Sequence, residues 1–81
     1  MTSDPLTIYS QLGKRIAYLR LEKKMSQMKL ALEAKVSKNY VSDLENGRRN
    51  PSLDVLNRIA KGLGITLEEL LRGVVGLDQL L

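Results

Sequence analysis

Apolar residues recur every three to four positions along most of the chain, and no stretch sustains a strict apolar–polar alternation. That spacing is the period of a helix with one buried face, so the pattern predicts an all-α domain. Cap and stop residues divide it into five helices. The first is expected over 5–23, with Asp4 as cap, Pro5 at the first helical position, and Ile8, Leu12, Ile16 and Leu19 inward. Gly13 falls inside it, where glycine costs roughly 1 kcal/mol against alanine, so fraying of the first turns is expected. The second helix follows Ser26 and turns Leu30, Ala31 and Ala34 inward. Its capping box is incomplete: Lys29 stands where Glu or Gln would reach back, and its charge opposes the local dipole.

The third helix follows Ser37 and runs to about Asn46, with Val41 and Leu44 inward, Tyr40 alongside and Gly47 as the left-handed stop. The fourth follows Ser52, carries Leu53, Leu56, Ile59, Ala60 and Leu63 as its stripe, and closes at Gly64. The fifth opens on Thr66 and Glu69, a full capping box, with Ile65 placed to staple onto Leu70. Residues 6–72 form the expected domain, followed by a short apolar tail at 73–81. Only Lys35, Val36 and Ser37 join helices two and three. So short a link forces a tight crossing, the helix-turn-helix arrangement whose second helix enters the major groove of DNA. Helix corners of the same spacing also serve as plain packing units.

Composition narrows the chemistry. Among 81 residues there is no cysteine and no histidine, which excludes disulfides, thiol nucleophiles, zinc fingers and histidine bases. Tryptophan and phenylalanine are also absent, so a base-stacking sheet for single-stranded RNA is not expected. Residues 14–49 hold ten Lys/Arg against four Asp/Glu, whereas the remainder holds three against five. A basic segment in a small domain fits a polyanionic partner, an ordinary solvated surface being the plain alternative. No catalytic set assembles: Ser26 beside Lys29 reads as a cap, and Glu68 and Glu69 as dipole-stabilising first-turn residues. The expectation is a non-enzyme without metal, cofactor or small-molecule ligand. The N-terminal segment has no secretory character and no run spans a bilayer, so a cytoplasmic protein with no membrane partner is expected.

The residues around the short link carry more than their spacing. Ser26-Gln27-Met28-Lys29-Leu30-Ala31, then 36–47 (VSKNYVSDLENG) and 48–52 (RRNPS), resemble the Cro/CI-type (XRE family) helix-turn-helix domain. The flanking LGKRIAYLR and LDVLNRIAKGLGITLEELL continue the likeness over residues 11–72. It implies a compact five-helix domain that binds operator DNA as a homodimer, usually on a pseudo-palindromic site. Size, charge and tail also look like the restriction-modification controllers within that family. The alternative is an antitoxin or small protein-interaction module on the same fold. The chain departs from the family at Lys35, where glycine is usual because the backbone goes left-handed, and at Gly62, where alanine is usual. A lysine at positive φ costs roughly 1 kcal/mol.

The resemblance assigns roles. Ser37, Lys38, Asn39, Ser42 and Asp43 occupy the outer, base-reading face of helix three. Lys38 suits guanine O6 and N7, and Asn39 suits adenine N6 and N7. Asp43 either accepts from cytosine N4 or pairs with Lys38 or Lys35. Gln27 stands at the family's phosphate clamp, the alternative being an exposed first-turn residue. Lys35, Tyr40, Arg48, Arg49 and Asn50 are candidates for the backbone or minor groove, with packing open for Tyr40 and turn ordering for Asn50. Arg20 and Glu45 match the family's interhelical ion pair. Leu70, Leu71, Val74, Val75, Leu77, Leu80 and Leu81 are the expected dimer interface, because five apolar side chains in a short tail need cover.

Overall fold

The computed structural model describes residues 7–74 and contains five helices and no strand among them. They are α1 (Ile8–Glu22), α2 (Gln27–Ala34), α3 (Lys38–Glu45), α4 (Leu53–Gly62) and α5 (Leu67–Leu71). Each starts on a hydroxyl cap. Thr7, Ser26, Ser37, Ser52 and Thr66 accept from the backbone N–H three residues on, at 3.0–3.1 Å. Such a bond satisfies one of the donors that every helix start leaves open. The expected start of α1 at Asp4-Pro5 is thereby corrected: Thr7 is extended and caps the helix itself, and residues 4 and 5 lie outside those described.

Four of the five helices end in the same way. A residue at positive φ turns the chain, and the following N–H reaches back to the carbonyl five residues earlier, as Arg48 N–H does to Asp43 at 2.9 Å. Gly47 and Gly64 turn α3 and α4 as expected, at φ +75° and +74°. Lys24 and Lys35 do so after α1 and α2, at φ 56° and 60°. The left-handed lysine expected at Lys35 is thus present, and a second at Lys24 was not foreseen.

The core joins Leu12, Ile16 and Leu19 of α1 to Leu30, Ala31, Ala34, Val41, Leu44, Ile59, Ala60, Leu63 and Leu70. Ile8 and Leu53, both assigned inward from periodicity, are 52% and 68% exposed. Each directly follows a cap. Periodicity fixes the face on which a residue lies but not whether a neighbour covers that end of the face. The α1–α3 contact is backbone against backbone at Gly13. A Cβ there would lie 2.5 Å from the Glu45 carbonyl oxygen and closer still to that of Leu44. Gly13 therefore admits α3 against α1 and does not mark a frayed segment. Arg15 donates to the carbonyls of Leu70 (3.2 Å) and Glu69 (2.9 Å), tying the end of α5 to α1. No helix of the described residues is long and apolar enough to cross a membrane.

Candidate nucleic-acid interface

The turn between α2 and α3 is built by backbone bonds and one hydroxyl. Lys35 goes left-handed, Val36 N–H donates to Ala31 O at 3.0 Å, and Ser37 starts α3. Val36 packs on the core. With Val41 and Leu44 at 0% and 1% exposure, α3 is anchored along one side. The other side is thereby directed outward: Lys35, Ser37, Lys38 and Asn39 are exposed, and Ser42 and Asp43 are half-buried. Among the described residues neither Lys35 nor Lys38 has an ion-pair partner, so both charges face solvent uncompensated. Lys29, by contrast, is matched by Glu33 at 3.2 Å.

Beneath this surface lies a buried polar cluster. Arg20 donates from Nε to Glu45 Oε2 at 2.6 Å, from Nη2 to Oε1 at 3.1 Å and from Nη1 to the Met25 carbonyl at 2.7 Å. The two side chains are 11% and 7% exposed, so the ion pair expected from the sequence is present and shielded. Gln27 joins it, its Nε2 donating to Glu45 Oε1 at 2.9 Å. The sequence reading missed this link. Gln27 is therefore more than an exposed first-turn residue: one amide hydrogen fixes the start of α2 to the end of α3. The second amide hydrogen remains for another acceptor.

The loop after α3 brings Arg48 and Arg49 back beside it. Arg49 Nη2 lies 3.3 Å from Asp43 Oδ2, and Arg48 Nη1 lies 4.0 Å from Oδ1. The Arg49 guanidinium also sits 5.0 Å from the centre of the Tyr40 ring. The expected pairing of Asp43 with Lys38 or Lys35 is therefore corrected. Lys38 is five positions upstream on the same helix, outside the three-to-four spacing at which helix side chains meet, whereas the turn at Gly47 folds the arginines back. Tyr40 packs on the core and carries Arg49 on its ring. Tyr9, not singled out from the sequence, joins Gly47, Arg48, Arg49 and Asn50 around an open groove of about 460 Å³. A glycine is required at 47, where a Cβ would lie 2.9 Å from Ser10 Cα.

A second groove, apolar and about 240 Å³, adjoins the first at Tyr9 and Asn50 and runs between Ile8, Leu12, Pro51, Leu56, Leu71 and Val74. Leu71 is 39% exposed at its rim. Leu70 is fully buried in the protomer's own core, which corrects its assignment to an interface: it has no surface left to offer. Val75, Leu77, Leu80 and Leu81 lie outside the described residues.

The comparisons with known proteins agree with this architecture. A family model described as helix-turn-helix matches residues 16–70. Control protein C.BamHI of Bacillus amyloliquefaciens is 45% identical over 60 residues, covering 73% of this chain and 74% of the relative. The crystal structure of the restriction-modification controller protein C.AhdI from Aeromonas hydrophila superposes with a TM-score of 0.75 at 35% identity, over 76% of this chain and 94% of that one. The controller C.Esp1396I, crystallised as a tetramer with its natural 35 base-pair operator, superposes at 0.74 with 30% identity, over 85% of this chain and 96% of that one. The residues that build the turn, the buried Arg20–Glu45 pair and these likenesses agree: the chain belongs to the XRE-type helix-turn-helix family, a family of transcription regulators and not of enzymes.

Proposed function

We propose that the protein is a sequence-specific double-stranded DNA-binding regulator of transcription, acting in the cytoplasm as the controller of a restriction-modification system. The observation that carries this reading is the outward side of α3 and its turn. Lys35, Ser37, Lys38 and Asn39 are exposed there, and the two lysines have no counter-charge among the described residues. Lys38 and Asn39 read base edges, with Ser37 and Ser42 beside them. Gln27, Lys35, Tyr40, Arg48, Arg49 and Asn50 meet the sugar-phosphate backbone or the minor groove. Residues 6–72 suffice for this. The likeness to a controller crystallised on its operator supports the same reading.

Selection of duplexes from a random pool should yield one preferred sequence, bound with an affinity that falls steeply with salt. Lys38→Ala and Asn39→Ala should each cost about 1–3 kcal/mol on that sequence and relax preference at defined positions. Competition with singly substituted duplexes measures this, and a uniform loss across all duplexes would move both residues to the backbone class. A protein without salt-dependent duplex affinity would be an interaction module instead.

The operator is pseudo-palindromic and the regulator a homodimer, with half-sites about 34 Å apart. The apolar groove beside Leu71 supports this, since a two-fold axis covers such a surface on both copies at once. Leu71→Glu should weaken self-association at least tenfold in sedimentation equilibrium, about 1.4 kcal/mol, and leave the fold intact. An unchanged dimer constant would place the interface elsewhere.

A further inference from the structure

The carboxylate of Asp43 is engaged where a base-reading group would have to be free. Both oxygens face arginines of the following loop, Oδ2 at 3.3 Å from Arg49 and Oδ1 at 4.0 Å from Arg48. Its main chain holds the same loop, the Asp43 carbonyl accepting from Arg48 N–H at 2.9 Å. Tyr40, three residues earlier and on the same side of α3, offers its ring to the Arg49 guanidinium at 5.0 Å. Between Asp43 and Arg48, Gly47 packs closely on Ser10 where the loop leaves α3. One guanidinium is thus held against α3 by a carboxylate and a ring.

We infer that Asp43 is a positioning and specificity-determining residue: with Tyr40 it fixes Arg49 in the frame of α3, and its charge opposes indiscriminate binding to phosphates. This rests on the DNA-binding reading above. A long cation on a loop loses rotamer freedom when it docks, and a residue that orders it beforehand lowers that cost on the correct site. On an arbitrary duplex the groove acceptors for which Arg49 is held are out of register, and the Asp43 carboxylate repels the nearby phosphates that any duplex offers. The same side chain therefore strengthens operator binding and weakens random binding.

Asp43→Asn keeps the size and removes the charge; Asp43→Ala removes both. The side chain is 34% exposed, so neither substitution leaves a buried charge. Binding of wild type and both variants is measured on the selected duplex and on a random-sequence duplex across a salt series, with and without Arg49→Ala. The expected result is weaker operator binding and tighter random binding, narrowing the ratio by about five- to tenfold, the scale of an exposed ion pair acting with a ring contact. In the Arg49→Ala background the loss on the operator should vanish. An unchanged ratio overturns the inference while leaving the DNA-binding reading intact. So does relaxed preference at a single base pair that persists without Arg49, because Asp43 would then read a base itself. Absence of salt-dependent duplex binding by the wild type overturns both.

Discussion

Gly13→Ala is expected to destabilise the domain by about 3 kcal/mol or more, although helix propensity alone gives alanine an advantage of roughly 1 kcal/mol at an interior position. The new Cβ would lie 2.5 Å from the Glu45 carbonyl oxygen and 2.7 Å from its carbon, with the Leu44 oxygen nearer still. These are backbone atoms at the end of α3 and cannot rotate away. Relief requires α1 and α3 to separate, which loosens Leu12 and Ile16 against Leu44. A domain of this size has only a few kcal/mol in hand, so the variant should be largely unfolded at moderate urea concentrations. Gly62 supplies the control. A Cβ there meets Leu30 Cδ1 at 3.1 Å and Glu33 Cβ at 3.2 Å, side-chain atoms that can give way. Gly62→Ala should be close to neutral. Urea denaturation of the two variants decides the matter, and a neutral or stabilising Gly13→Ala would mean that the helices do not approach so closely.

Gly13 also shows where sequence reasoning stops. Four hydroxyl caps, two glycine stops and a regular apolar stripe depend on neighbours close in the chain, so helix number, order and most of the core are legible in the sequence, with only the cap of α1 misplaced. Gly13 depends on residues 44 and 45, far along the chain, and no local pattern distinguishes a glycine that weakens a helix from one that admits another helix. The same holds at the site. The outward placement of Lys38 and Asn39 follows from the inward placement of Val41 and Leu44 one turn on. The partners of Gln27, Arg15 and Asp43 do not, because each bond is set by how a turn or another helix arrives. The helix-start position of Gln27 gives no hint that its amide lies 2.9 Å from Glu45. One signal did exist for Asp43: the stop at Gly47 returns the chain toward α3, bringing Arg48 and Arg49 back beside it.

Arg20→Ala should cost about 3–5 kcal/mol of stability, because it strands a buried carboxylate. Arg20 makes three bonds, two to Glu45 and one to the Met25 carbonyl, and both side chains are almost wholly shielded. Glu45→Ala should cost a similar amount, leaving the guanidinium with one partner. The double variant should cost well below the sum, since neither charge is then left alone. Urea denaturation of the four proteins gives the coupling energy directly, and a value near zero would show that the charges act independently. Gln27→Ala should cost only about 1 kcal/mol, the scale of one hydrogen bond. The pair matters beyond stability because of where it sits. Glu45 is the last residue of α3, Arg20 lies near the end of α1, and Gln27 opens α2. One carboxylate thus fixes the far end of α3 to both α1 and α2. The near end is held without an ion pair, by the Ser37 cap, the left-handed Lys35 and the packing of Val36 and Tyr40 on the core. Variants that break the pair yet remain folded should therefore lose discrimination among duplexes before they lose affinity for DNA as such, because phosphate attraction tolerates a tilted helix and base-edge hydrogen bonds do not.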